Sequence, residues 1–292
     1  MKNNLIRRPV SIIKNYQFLG QNFRGVGISP YILANKYKSI PQFAPYDYPM
    51  ISQDISDDER MELCMFQNYL TYESNKYFLD NYDRVINFGG DHSIATGSVK
   101  ASLDKYQDDL HIIWIDAHAD ANTRKDSTSK NLHGMPVNML MNICEDNVDW
   151  LKEKPLKYNQ ISYIGLRDLD LYEHGLLHYM GIEHYSMKDL ERLPLVFVLK
   201  LLKNKYQDKK IHLSIDVDSL DPVFISSTGT PVPNGLTMEQ MYNIIYTFGE
   251  QIVNVDIVEL NLELGDEYDK IQSYNNTIGI IDSLMRIFLS KN

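Results

Sequence analysis

Three short runs concentrate carboxylates and imidazoles: Gly89-Gly90-Asp91-His92, Asp116-Ala117-His118-Ala119-Asp120 and Asp216-Val217-Asp218. Asp116, His118 and Asp120 fall at i, i+2 and i+4, and in an extended segment side chains with that spacing point the same way. Asp216 and Asp218 repeat the device with two members, and His92 adds a second imidazole. These are ligands of hard or borderline divalent cations. With no thiolate among them, structural zinc of the cysteine type is excluded. Six protein ligands are too many for one ion that keeps an open position, so two ions sharing carboxylates are expected. Such a pair would acidify a bridging water near neutral pH. The carboxylates and a bridging hydroxide together slightly outweigh the two ions, leaving a field that favours a cationic substrate. Taken singly the runs are ordinary. An Asp-X-Asp after a strand commonly caps a helix, and single histidines such as His111, His174, His184 and His212 are expected in cores or on surfaces. Capping does not explain all three clusters, because burying so many carboxylates without cations is prohibitively unfavourable.

An apolar run precedes each cluster. Val85–Phe88 leads into the first, Ile112–Ile115 into the second and His212–Ile215 into the third, while Val255–Val258 leads to Glu259 within a run extending to Leu260. Ile161–Ile164 is a further run of this kind. Between them, helical spacing covers Glu59–Phe78, Gly97–Tyr106, Met135–Ile143, Met187–Leu202 and Met238–Phe248, with a last helix at roughly Thr277–Leu289. This alternation predicts a parallel β-sheet flanked by helices on both faces. Ligands of such sheets bind outside the carboxyl ends of the strands, where the three clusters fall. No linker, low-complexity stretch or internal repeat divides residues 1–292, so a single α/β domain is expected.

Composition narrows the class. The 292 residues are 43% hydrophobic and 23% charged, as in ordinary globular proteins. No apolar run reaches the ~18 residues of a membrane helix, so no membrane role is expected. A net charge of −10 argues against nucleic-acid binding. Cys64 and Cys144 lack a spacing pattern and read as buried free thiols of a reducing compartment. No acid precedes Asp47, whereas Lys2, Arg7, Arg8, Lys14, Arg24, Lys36 and Lys38 do. A basic start can be a transit peptide, but Val10–Ile13 already reads as a strand and leaves only a short leader. Ser29-Pro30 reads as a helix entry with Ser29 as N-cap. The cytosol is expected.

With these residues in view, the chain resembles the ureohydrolase family and, within it, the arginases. Gly-Gly-Asp-His-Ser at 89–93, Asp-Ala-His-Ala-Asp at 116–120 and Ser-Ile-Asp-Val-Asp-Ser-Leu-Asp-Pro at 214–222 resemble its three metal motifs, and the similarity runs from about Gly20 to the last helix. The resemblance implies an arginase/deacetylase-like fold and two Mn2+ ions. His92, Asp116, Asp120 and Asp216 would hold one ion, and Asp116, His118, Asp216 and Asp218 the other. Asn122, Ser129 and Asn131 resemble a loop that binds the α-carboxylate of L-arginine, for which neutral donors are suited. Asp170 would accept the α-ammonium, with Glu173 helping through water, and Thr230 would be a lesser contact. Glu259 would pair with the guanidinium, and His133 would pass a proton to the departing amine. With Asp120 these are the expected catalytic groups. The implied reaction is attack of metal-held hydroxide on the guanidinium carbon, giving ornithine and urea. Lys130 and Asn234 stand where the family has glycine, Leu262 replaces a usual proline, and Val26-Gly27-Ile28-Ser29-Pro30 departs from the usual Val-Glu-Glu-Gly-Pro; loop geometry and specificity are where these departures bear. An agmatinase or guanidinobutyrase is the alternative enzyme, and a silent arginase-like binding protein the alternative of another class. Phosphatases and deacetylases also use Asp/His-held metals but do not imply the carboxylate-binding loop. A homo-oligomer, trimer or hexamer, is expected, although the chain stops soon after its last helix without the extended tail of some trimeric relatives.

Overall fold

A computed structural model describes residues 8–21, 23–47, 55–143 and 147–290. Among them eight strands form one sheet: β1 (Arg8–Asn15), β2 (Gln42–Phe43), β3 (Tyr82–Gly89), β4 (Leu110–Ile115), β5 (Ile161–Leu166), β6 (Glu183–Ser186), β7 (Lys210–Asp216) and β8 (Ile252–Val258). The order is β2-β1-β3-β8-β7-β4-β5-β6, and neighbours pair in parallel throughout. The α-helices are α1 (Ser29–Ala34), α2 (Asp57–Asn81), α3 (Ala95–Tyr106), α4 (Pro136–Leu140), α5 (Asp149–Lys152), α6 (Leu171–Met180), α7 (Met187–Arg192), α8 (Leu195–Lys205), α9 (Met238–Phe248) and α10 (Glu267–Leu289). No described helix is long and apolar enough to cross a membrane.

Strand alternation sends successive side chains to opposite faces, and both faces are covered. Ile113, Ile115, Leu213, Ile215 and Ile257 pack with Val198 and Leu202 of α8, Ile244 and Phe248 of α9, and Ile281 and Leu284 of α10. Ile112, Trp114 and Tyr163 face the other way, onto Val99 and Leu103 of α3 and Val137 and Leu140 of α4. Under α2 the contact is largely polar. Asn75 of α2 donates through Nδ2 to Asn87 Oδ1 at 2.9 Å and accepts at Oδ1 from Asn254 Nδ2 at 3.0 Å, and Thr71 Oγ1 donates to Asn15 Oδ1 at 2.9 Å. Each buried polar atom of such a seam demands its own partner, which fixes the docking of α2 more narrowly than an apolar face would.

The expected strands and helices recur with shifted ends. The stretch Met187–Leu202 is two helices, because Pro194 cannot donate an amide and ends the first. The last helix starts ten residues early, at Glu267, where Asp266 caps it by accepting from the Asp269 amide at 2.9 Å. Ser29 is not an N-cap: it lies inside α1, its hydroxyl donates to the Leu260 carbonyl at 2.5 Å, and Ile28 precedes the helix. The edge strand β6 and helix α6 had no clear periodic signal. Cys64 is a buried free thiol; Cys144, like Lys2 and Arg7, lies outside the described residues.

The histidines expected to be structural sit as such. His212 lies between Ser102 Oγ at 2.9 Å and Asp256 Oδ2 at 3.0 Å. His111 is buried, 2.9 Å from Ser162 Oγ, with its ring stacked on Tyr206. Burial pushes the His111 pKa down to about 3 from 6.5. A depressed folded-state value means that unfolding takes up a proton below pH 6.5, so stability present above that pH is lost as the pH falls towards 3. The slope expected from this group is about 1.4 kcal/mol per pH unit. Chemical denaturation of the wild type and His111→Gln between pH 7 and 4.5 should show the shallower decline in the variant; parallel declines would contradict it.

Candidate metal centre and adjoining cleft

The strands β3, β8, β7 and β4 are consecutive in the sheet, and their carboxyl ends deliver the three clusters to one place. After β3 the chain turns tightly at Gly90, where an added Cβ would lie 1.7 Å from the Gln17 carbonyl oxygen. Asp91 holds the turn, accepting from the Gly20 amide at 2.8 Å and the Ser93 amide at 3.0 Å. His92 follows, with Nε2 2.8 Å from Ser214 Oγ and its ring stacked on Trp114 at a centroid distance of 4.3 Å. The ring is thereby oriented so that Nδ1 meets Asp116 Oδ2 at 3.1 Å, Asp120 Oδ2 at 2.9 Å and Asp216 Oδ2 at 3.2 Å.

Segment 116–120 is not extended, as its spacing suggested. It bends, and Asp120 is left-handed at φ 50°. Asp116 accepts its own turn, from the His118 amide to Oδ1 at 2.8 Å, while Trp114 Nε1 donates to Oδ2 at 3.0 Å. Asp216 repeats this at the end of β7: Oδ1 accepts from the Asp218 amide at 2.8 Å, and Oδ2 is left to face His92. On Asp216 the oxygen that takes the turn amide and the oxygen that faces His92 are thus different atoms. His118 Nδ1 lies 3.4 Å from Asp116 Oδ1 and 3.3 Å from Asp218 Oδ2. Two groups with metal-ligating geometry result, His92–Asp116–Asp120 and Asp116–His118–Asp218, and Asp116 belongs to both.

The electrostatics fit cations at this place. Asp116, Asp120, Asp216 and Asp218 are all buried. Burial, and then the charge of Asp116, pushes the Asp120 carboxyl up to about 6. Burial and the Asp218 charge raise Asp216 well above the usual carboxylate range. Burial disfavours charge on His92, but Asp120 and its neighbours raise the imidazole well above 6.5. One ring nitrogen cannot hydrogen-bond three carboxylates, and His92 Nδ1 and Asp120 Oδ2 are both buried with no hydrogen-bond partner. Orphaned donor atoms of this kind, from carboxylates and imidazoles, are what divalent cations would satisfy.

A cleft of about 220 Å3 opens onto this centre. His118, Asp120, Asp216 and Asp218 form its floor, and Asn122, Ser129, Asn131, His133, Asp170, Glu173 and Thr230 line it. Asn122 Nδ2 donates to Asp170 Oδ2 at 2.5 Å, whereas its buried Oδ1 has no partner. Asp170 also caps α6, and Glu173 accepts from the Asp170 amide at 3.1 Å and the Ala121 amide at 3.0 Å. Burial pushes Glu173 up to about 7. Thr230 Oγ1 donates to Asp218 Oδ2 at 3.1 Å. Glu259 lies past the end of β8 with φ 69° and is held by three protein groups. Its Oε1 accepts from the His92 amide at 2.8 Å and faces His133 Nδ1 at 3.1 Å, and its Oε2 accepts from Gln21 Nε2 at 2.5 Å. Burial opposes charge on His133, but Glu259 outweighs it and holds the imidazole up to about 9.

Trp114 and Gln21 carry no motif signal of their own, and Ser214 stands in the third motif without a role assigned to it; the three orient Asp116, Glu259 and His92. Sequence reasoning also passed over Arg167, a neighbour of the expected Asp170. The two residues that replace glycines explain themselves in part. Lys130 has φ 57° and Asn234 φ 63°, so the glycine-like backbone persists without the glycine. Asparagine tolerates that region; lysine does so at a cost of about 1 kcal/mol or more. Lys130→Gly should therefore raise stability by up to about 1 kcal/mol, with Asn234→Gly close to neutral, in denaturant titrations. A Lys130→Gly protein less stable than wild type would contradict this.

Comparison with known proteins agrees with the geometry. Residues 20–281 match the model of the arginase family. Arginase of Schizosaccharomyces pombe is 36% identical over 215 residues, 71% of this chain and 65% of that protein. Human mitochondrial arginase-2 is 38% identical over 208 residues, 65% of this chain and 56% of that protein. The chain thus spans a little over half to just under two thirds of the curated relatives it matches. Among solved structures, Entamoeba histolytica arginase in complex with L-ornithine superimposes with a TM-score of 0.85 at 27% identity, covering 96% of this chain and 99% of that one. Bacillus caldovelox arginase superimposes with a TM-score of 0.84 at 26% identity, covering 97% and 99%. With the match running through every cluster described above, the chain belongs to the arginase family.

Proposed function

We propose that this protein, acting as one domain, hydrolyses L-arginine to L-ornithine and urea with two Mn2+ ions at the six carboxylate and imidazole donors. One observation carries the reading: a cleft with cation-ligating groups at its floor is lined by neutral donors on one part and carboxylates on another. When bound, the ions supply an acidified water and offset the carboxylate charge. His92, Asp116, Asp120 and Asp216 would hold one, and Asp116, His118, Asp216 and Asp218 the other. Asn122, Ser129 and Asn131 offer hydrogen bonds to an α-carboxylate, and Asp170 with Glu173 offers negative charge to an α-ammonium. A substrate seated by its amino-acid head then extends its cationic end towards the floor.

Glu259 has about four lone-pair positions, of which three are taken, and the remaining one is available to a guanidinium N–H. His133, held protonated by Glu259, sits on the cleft wall where it can give a proton to the departing nitrogen, so that it leaves as an amine and not as an amide anion. Asp120, on the cleft floor beside His92, is placed to accept the proton released by the attacking water. The arginases this chain resembles and the ornithine complex of the Entamoeba enzyme support this substrate class. A cytosolic homo-oligomer, trimeric or hexameric, is the accompanying proposal.

Urea release by the Mn2+-loaded protein from arginine, agmatine and guanidinobutyrate is the decisive assay. Turnover of arginine is expected; turnover only of substrates without an α-carboxylate would defeat the proposal. His133→Asn should lower kcat about 100-fold or more. Asn131→Ala should raise KM for arginine about tenfold, the loss of a hydrogen bond to a charged group, with kcat little changed. A kcat effect without a KM effect at Asn131 would place that residue elsewhere in the reaction.

A further inference from the structure

Arg167 follows β5, three residues before Asp170, and its guanidinium is enclosed by backbone carbonyls. Nε donates to the carbonyls of Val232 and Pro233, each at 3.2 Å. Nη1 donates to those of Gly165 and Ser219, each at 3.2 Å. Nη2 donates to Asp218 at 2.6 Å, Val232 at 2.7 Å and Leu220 at 3.3 Å. No carboxylate is among its hydrogen-bond partners in the described residues. Apart from Gly165 in β5, the acceptors come from the turn that carries Asp218 and from the far limb of the loop that carries Thr230.

That loop closes on itself around the guanidinium. The Asp221 amide donates to the Leu236 carbonyl and the Leu236 amide to the Ser219 carbonyl, each at 2.9 Å, and Asp221 Oδ2 accepts from the Gly235 amide at 3.1 Å. Gly235 must be bare here, since a Cβ would stand 2.7 Å from Arg167 Nη2 and 2.5 Å from the backbone at Leu220 and Asp221. A closed loop has few internal ways to keep its carbonyls satisfied. A planar cation with five N–H donors spread around its rim meets several carbonyls at once, whereas an ammonium is a single point with three donors.

We propose that Arg167 is a positioning residue: it braces the Asp218 turn and the Thr230 loop against the β5 end, and so sets the cation group formed by Asp116, His118 and Asp218. It touches neither the cleft nor a ligand side chain, and acts through the backbone that carries Asp218. The inference rests on the proposed binuclear centre. Its specific consequence is asymmetric, because Asp218, carried by the braced turn, belongs to the Asp116–His118–Asp218 group and not to the His92–Asp116–Asp120 group.

The test is calorimetric titration of the metal-free full chain with Mn2+ for the wild type, Arg167→Lys and Arg167→Gln. Arg84→Lys is the control, since Arg84 also donates to a backbone carbonyl, that of Glu250 at 3.1 Å, but close to the start of β3. Both Arg167 variants should fold, and one of the two Mn2+ sites should weaken about 10- to 100-fold while the other and both sites of Arg84→Lys stay as in the wild type. Arg167→Lys binding both ions as the wild type does would overturn the brace. Equal weakening of both sites, or loss of fold in both Arg167 variants, would also overturn it by making the residue a general stabiliser. A wild type that binds two ions but leaves arginine intact would defeat the arginine reading and leave the brace standing; a wild type that binds fewer than two would defeat both.

Discussion

Four buried carboxylates at one edge of a parallel sheet are the constraint from which the rest follows. Asp116, Asp120, Asp216 and Asp218 lie within reach of two imidazoles, and their charges raise one another's proton affinity or demand counter-charge. Protein dipoles relieve only part of this. Trp114 donates to Asp116, the turn amides donate to one oxygen each of Asp116 and Asp216, and the remaining oxygens converge on a shared region. Water could not replace cations here without leaving like charges packed together at low dielectric. The sheet makes the convergence affordable by placing four strand ends side by side, with apolar faces on both sides that hold those ends rigid.

A second layer of polar contacts aligns the first. Ser214 and Trp114 orient the His92 ring, Asp91 holds its turn, and Glu259 joins the His92 amide to His133 and Gln21. A ligand displaced by an ångström loses most of its value to a metal, so these partners matter as much as the ligands themselves. Arg167 belongs to the same layer but works through backbone carbonyls. The cleft inherits its order from this scaffold: Asn122 and Asp170 are joined to each other, and Glu173 ties the start of α6 to the exit from β4.

Much of this was legible in the residue pattern. The five main apolar runs became strands because each is short, rich in β-branched residues and followed by polar residues at the sheet edge. The six residues proposed to hold the cations were readable because their residue types recur after strands. Three features were not. The turn that aims Asp120 was hidden because i, i+2, i+4 spacing suits an extended segment as well as a bend with a left-handed residue. The partners of Glu259 come from positions 21, 92 and 133, separations that local pattern cannot express. Strand β6 and helix α6 are amphipathic only weakly, with polar Glu183 and His184 in the strand and exposed Leu171 and Tyr179 in the helix, so tertiary contacts decide them.

Two cations sharing the buried carboxylates remain the claim on which everything else turns, and anomalous diffraction from crystals grown with Mn2+ tests it most directly. Two peaks are predicted, one against His92 and Asp120 and the other against His118 and Asp218, with Asp116 and Asp216 between them. A single peak, or density only at surface acids with His92 Nδ1 still facing Asp120 unoccupied, would contradict it.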